Sequence, residues 1–60
     1  MPVVIVEMWE GRTLEQKRQL VKGLTDAFVS IGTPAEKVEI ILNDHPKTCW
    51  AKGGKLASES

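Results

Sequence analysis

Pro2 is the first residue of this 60-residue chain with a claim on chemistry. Inside a chain, proline has no backbone N–H and a fixed φ, and it commonly opens an edge strand. If Met1 is removed, the same residue presents a free secondary amine on a rigid ring. A terminal amine titrates near 7.7–8.0 when unperturbed, close to where a general base works best. An apolar pocket and nearby cations lower such a pKa further. Arg12, which follows Gly11 in the stretch EGR, is the second candidate: its planar guanidinium matches the fork of a carboxylate. His45 and Cys49 invite comparison with a Cys–His nucleophile pair. Their spacing gives no reason to expect contact, and His45 before Pro46 reads as an exposed turn residue. Gly53–Gly54 lacks the pattern of a phosphate loop and reads as turn chemistry.

The elements that must hold these residues follow from periodicity. Residues 3–9, VVIVEMW, are dominated by β-formers and predict a strand. Thr13 and Gln16 fit a capping box, which opens a helix. Leu20, Val21, Leu24, Ala27, Phe28 and Ile31 recur at three- and four-residue steps and give that helix an apolar face. Gly32 and Pro34 end it. A brief turn over 33–36 leads to a second strand, VEIILN at 38–43, then a turn at 44–47. The tail, with its Gly53–Gly54 pair, predicts a short hairpin. The fold class is therefore α/β: a single β-α-β unit with parallel strands, occupying residues 1–60 as one domain.

Alternation assigns Val4, Val6, Met8, Val38, Ile40 and Leu42 to the face under the helix. Val3, Ile5, Glu7, Trp9, Glu39 and Ile41 fall on the opposite face. One helix cannot cover both faces, and parallel sheets are normally buried on both. A second copy of the chain is the expected cover, with Glu7 and Glu39 at or near the contact. Chain length argues the same way. Sixty residues bury only about 60% of their unfolded surface, and one cysteine provides no disulfide staple.

Composition excludes several classes. Eight basic and eight acidic residues cancel, so no electrostatic argument favours nucleic acid or a membrane surface. No apolar run approaches the roughly 20 residues of a membrane span. A free cysteine and the lack of a signal-like N-terminus make a cytoplasmic protein the expectation. Cys49 and His45 are too few for a structural zinc site.

Pro2 opening a strand, EGRT-x-EQK at the helix start, a second strand and then W-x-x-GG-x-LAS together resemble the 4-oxalocrotonate tautomerase family over nearly the whole chain. The resemblance implies a sheet completed by dimerisation, commonly a hexamer built as a trimer of dimers. It also implies a cofactor-free isomerase in which the amino-terminal Pro2 is the catalytic base. Arg12 would hold a substrate carboxylate in a site shared between subunits, and Trp50 would wall the site. The expected reaction is enol–keto proton transfer on a 2-hydroxydienoate or 2-oxo acid. Glu39 departs from the pattern, because the matching position in the best-known members is an arginine. A carboxylate there repels a dianion and raises the pKa of Pro2. Lys37, Lys47 and Lys52 are candidates to replace the missing cation or to pair with Glu39. The rival expectation is a non-catalytic homo-oligomer that keeps Met1, whose Pro2 nitrogen is an amide. A dehalogenase- or decarboxylase-like reaction on the same scaffold ranks below both.

Overall fold

The computed structural model describes all 60 residues. Strand β1 (Val3–Trp9) leads to helix α1 (Leu14–Ser30), a 3-10 turn (Ala35–Lys37) and strand β2 (Glu39–His45). A second 3-10 turn (Lys47–Cys49) precedes the hairpin strands β3 (Ala51–Lys52) and β4 (Lys55–Leu56). The chain closes on a last 3-10 turn, Ala57–Glu59. β1 and β2 pair in parallel, with Val3 opposite Glu39 and Trp9 opposite His45. The expected β-α-β unit with a C-terminal hairpin is the observed fold.

Local chemistry sets the helix ends. The Thr13 hydroxyl accepts from the Gln16 N–H at 3.1 Å, and the Thr13 N–H donates to Gln16 Oε1 at 2.9 Å. This reciprocal box satisfies donors that the first turn leaves without intrahelical partners. At the far end Gly32 takes φ 101°, where a side chain would be strained. Its N–H reaches Val29 O, and the Thr33 N–H reaches Phe28 O, which makes a Schellman closure. Gly53 and Gly54 both have positive φ (60° and 83°), which lets a two-residue turn join β3 to β4.

The second strand runs two residues further than its sequence suggests. Asp44 and His45, expected in a turn, continue β2, and the turn moves to Pro46 and Lys47–Cys49. Anchors on both faces account for this. Asp44 forms an ion pair with Lys17 of α1 on the helix side. His45 bonds to Glu7 on the other side, and its carbonyl accepts from the Glu10 N–H at 2.9 Å. These bonds override the turn preference of Asp before His-Pro. Lys37 ends the 3-10 turn that precedes β2.

Face assignment follows the alternation. Val4, Val6, Val38, Ile40 and Leu42 are half-buried, and Met8, 8% exposed, is the one fully buried residue. On α1, Leu20, Val21, Leu24 and Phe28 are half-buried, whereas Ala27 and Ile31 of the expected stripe are exposed. The opposite sheet face is open, with Val3 51%, Ile5 59%, Trp9 43% and Ile41 47% exposed. The chain's surface of 4648 Å² exceeds the roughly 3,900 Å² of a compact monomer of this mass. Its radius of gyration, 14.5 Å, likewise exceeds the ~10 Å of a compact 60-residue domain. No helix is long and apolar enough to cross a membrane.

The capping box carries a testable consequence. Thr13→Ala is expected to destabilise the fold by about 1 kcal/mol, read as a lower denaturation midpoint. Thr13→Ser, which keeps the acceptor oxygen, is expected to retain most of the stability.

Candidate functional site

Parallel pairing sorts the candidate residues by end. Both strand starts lie at one end of the sheet, and both strand ends at the other. Pro2 and Glu39 share the first end: the Glu39 N–H donates to Pro2 O at 3.0 Å. Glu39 itself is exposed and enters no ion pair, so none of Lys37, Lys47 and Lys52 neutralises it. Met1 acylates the Pro2 nitrogen in the full chain, and that nitrogen gains basicity only when Met1 is cleaved.

Arg12 and Trp50 belong to the opposite end. With about 3.3 Å of rise per residue, the six steps from Val3 to Trp9 separate the two ends of β1 by about 20 Å. That is further than an arginine side chain reaches. Arg12 lines a cleft of about 340 Å³ on the helix side with Val6, Met8, Gln16 and Leu20. Trp50 lies beside the other face, its ring 5.9 Å from that of Trp9 and nearly perpendicular to it at 77°. A single chain therefore does not bring Pro2, Arg12 and Trp50 together. Pro2 lines neither cleft.

Two groupings escaped the sequence reading. The first is a polar cluster on the open face. His45 Nε2 donates to Glu7 Oε1 at 2.6 Å, and Asn43 Nδ2 donates to Glu7 Oε2 at 3.3 Å. The hydrogen bond from His45, followed by that from Asn43, holds the Glu7 carboxyl below its ordinary value. The Trp50 ring meets the His45 imidazole edge-on at 5.9 Å. His45 is thus a half-buried strand residue, not an exposed turn residue. The shared parity of Glu7, Asn43 and His45 was the available signal, but it depends on β2 reaching position 45.

The second grouping is a cleft of about 290 Å³ lined by Trp9, Trp50, Lys52, Lys55, Ala57 and Ser60. Lys47 Nζ stands 4.9 Å from the centroid of the Trp9 ring, within cation–π range. Cys49 is exposed, as a lone thiol. No group of three His, Cys, Asp or Glu residues is arranged to hold a metal ion.

This architecture is that of a small α/β chain built on a two-stranded parallel sheet, and solved relatives share the fold. Residues 2–59 match the Tautomerase enzyme family. A probable tautomerase of Streptococcus pneumoniae is 40% identical over 60 residues, spanning 98% of this chain and 100% of that protein. The crystal structure of YwhB, a homologue of 4-oxalocrotonate tautomerase, superimposes with a TM-score of 0.91 at 40% identity, covering 98% of both chains. A heterohexameric 4-oxalocrotonate tautomerase from Chloroflexus aurantiacus aligns with a TM-score of 0.90 at 33% identity, covering 98% of this chain and 97% of that one. The chain belongs to the tautomerase family.

The Glu7 cluster makes stability depend on pH with a definite sign. A depressed carboxyl pKa contributes stability above the unfolded-state value and loses it as pH falls through the folded-state value. Glu7→Gln is therefore expected to lower the denaturation midpoint at neutral pH. The gap from wild type should close once the pH lies below the folded-state value of Glu7. A constant gap across an acid titration would contradict this.

Proposed function

We propose that the chain is a cofactor-independent tautomerase that works as a homo-oligomer, with Pro2 as its general base after removal of Met1. The observation that carries this reading is the family match over residues 2–59, which begins at Pro2 itself. The Pro2 nitrogen takes the proton from the 2-hydroxyl of an enol or dienol. The oxygen lone pair closes to a carbonyl, and the C=C electrons move to the distal carbon. That carbon receives the proton from the prolinium, which restores the free amine. The carbonyl of the product already acidifies its neighbouring C–H, so proton transfer needs no further electron sink.

Self-association supplies what one chain lacks. A copy related by a two-fold axis, with its strands antiparallel to the first, brings its far end beside this chain's Pro2. Arg12 and Trp50 of one copy then serve Pro2 of another, Arg12 holding the carboxylate and Trp50 walling the site. The exposed apolar face of β1 and β2 supports a further contact between copies. A hexamer built as a trimer of dimers is the arrangement we favour, and the cytoplasm is the setting we favour for it. Glu39, close to Pro2, repels a second negative charge, so a monocarboxylate such as an arylpyruvate enol is preferred to a dicarboxylate.

Glu39 also favours a second reading, a non-catalytic oligomer that retains Met1. Intact mass of the protein from its native source separates the two. With Met1 absent, enol ketonisation is followed by ultraviolet absorbance. Pro2→Ala is expected to lower kcat/KM by about 10²-fold, the lower end of what a positioned base contributes, because the variant keeps an amine without the rigid ring. Arg12→Ala is expected to act mainly through KM. Undiminished turnover by Pro2→Ala would remove its assigned role.

The open face gives a separate test. Ile5→Lys places a charge in the apolar patch and is expected to shift the assembly to smaller species in sedimentation velocity. An unchanged mass would show that this face takes no part in association.

A further inference from the structure

One carboxylate and one cation on the open face lack partners, and they stand at opposite ends of it. Glu39 lies opposite Val3 in the parallel register and so shares its face with Val3, Ile5, Glu7 and Trp9. Glu7, the other carboxylate on that face, already accepts from His45 and Asn43. Glu39 is exposed and enters no ion pair. Lys47 stands over the Trp9 ring, 4.9 Å from its centroid, and enters no ion pair either. The length of β1, about 20 Å from Val3 to Trp9, keeps the two charges apart within one chain.

Symmetry removes that separation. A two-stranded sheet leaves one edge of β1 bare. The cleft of Val6, Met8, Arg12, Gln16 and Leu20 takes side chains from β1, α1 and the loop between them, and none from β2, so it lies along that edge. Two copies related by a two-fold axis normal to the sheet meet there with their β1 strands antiparallel and their open faces on the same side. Full overlap of the two Val3–Trp9 strands sets Val3 opposite the partner's Trp9. Glu39 lies one strand further out, so its Cα stands two strand spacings, about 10 Å, from that of the partner's Trp9. A glutamate side chain and a lysine stem together close such a gap. The two-fold repeats the contact, so each pair of copies makes it twice.

We propose that Glu39 of one copy forms an ion pair with Lys47 of the partner subunit, and that this pair fixes the register in which the β1 edges associate. A slip of two residues is the smallest that keeps every side chain on its own face, and it moves the partner's Lys47 by about 7 Å. The charges therefore reward one register over its neighbours. The inference rests on the homo-oligomer proposed above, and not on removal of Met1 or on turnover. A Lys47 engaged with Glu39 is not free to receive a second carboxylate, which agrees with the preference for a monocarboxylate.

Sedimentation velocity over a dilution series gives the concentration at which the assembly half-dissociates. Glu39→Lys and Lys47→Glu are each expected to raise it by roughly tenfold, because two exposed pairs per contact turn from attraction to repulsion. The double variant Glu39→Lys, Lys47→Glu restores the pair and the net charge together, and is expected to recover most of the loss. Salt at about 1 M is expected to close the gaps between wild type and the single variants. Both positions are exposed, so the far-ultraviolet circular dichroism of every variant should keep the helix. Losses that add in the double variant would overturn the pair. So would rescue of Glu39→Lys by Lys52→Glu in place of Lys47→Glu. A wild-type chain that stays monomeric at every concentration would overturn it together with the homo-oligomer. Loss of turnover in every enol assay, with the charge-swap rescue intact, would refute the catalytic reading and leave the pair standing.

Discussion

One helix lies on a sheet of two strands, and every other feature of the molecule answers to that imbalance. α1 covers the face carrying Val4, Val6, Met8, Ile40 and Leu42, yet only Met8 becomes fully buried. Burial of this extent falls short of what a stable single domain needs. The excess surface and the long, flat shape are the same fact seen from outside, with principal extents of 43 × 23 × 14 Å. In the proposed assembly copies of the chain would supply the missing burial, and stability would then be tied to protein concentration.

The open face is not uniformly apolar, and its polar part is arranged for burial. Glu7, Asn43 and His45 satisfy one another within a single chain before any partner arrives. A carboxylate buried without donors is costly, whereas one that already accepts two hydrogen bonds carries much less of that penalty into an interface. The Lys17–Asp44 pair does the corresponding work on the helix side, one residue away along β2. Adjacent residues of one strand are thus tied, one to the helix and the other to the neighbouring strand across the open face. This is why β2 stays extended through Asp-His, where turn propensity alone would release it.

The parts of the fold that were legible in the sequence are those governed by local rules. Thr13 and Gln16 marked the helix start, Gly32 its end, and Gly53–Gly54 the hairpin, because each answers to backbone geometry within a few residues. Strand parity sorted the two faces of the sheet for the same reason. What the sequence withheld depends on pairs far apart in the chain. The Glu7–His45 contact spans 38 positions and the Lys17–Asp44 contact spans 27. The stripe on α1 overshot at Ala27 and Ile31 because a two-stranded sheet is too narrow to reach the whole apolar arc of a helix. Trp50 was singled out, but its partner Trp9 read as an ordinary strand residue. Their meeting depends on where the tail returns.

The charges are even in number but not in placement. Glu39 stands alone beside Pro2 at the start of the strands, while Lys47, Lys52 and Lys55 gather around the tryptophans near their ends. Parallel strands make this separation unavoidable within one chain, since everything that begins a strand lies away from everything that ends one. It follows that the charge reversal at Glu39 cannot be judged from a single copy. An antiparallel neighbour would set its own cationic end against the acidic end of the first, and the two features that look like departures, a carboxylate near the base and lysines without partners, would then face one another. Attraction between such ends favours the same two-fold arrangement that would bring Arg12 to Pro2, so one electrostatic asymmetry would serve both assembly and the grip on a carboxylate.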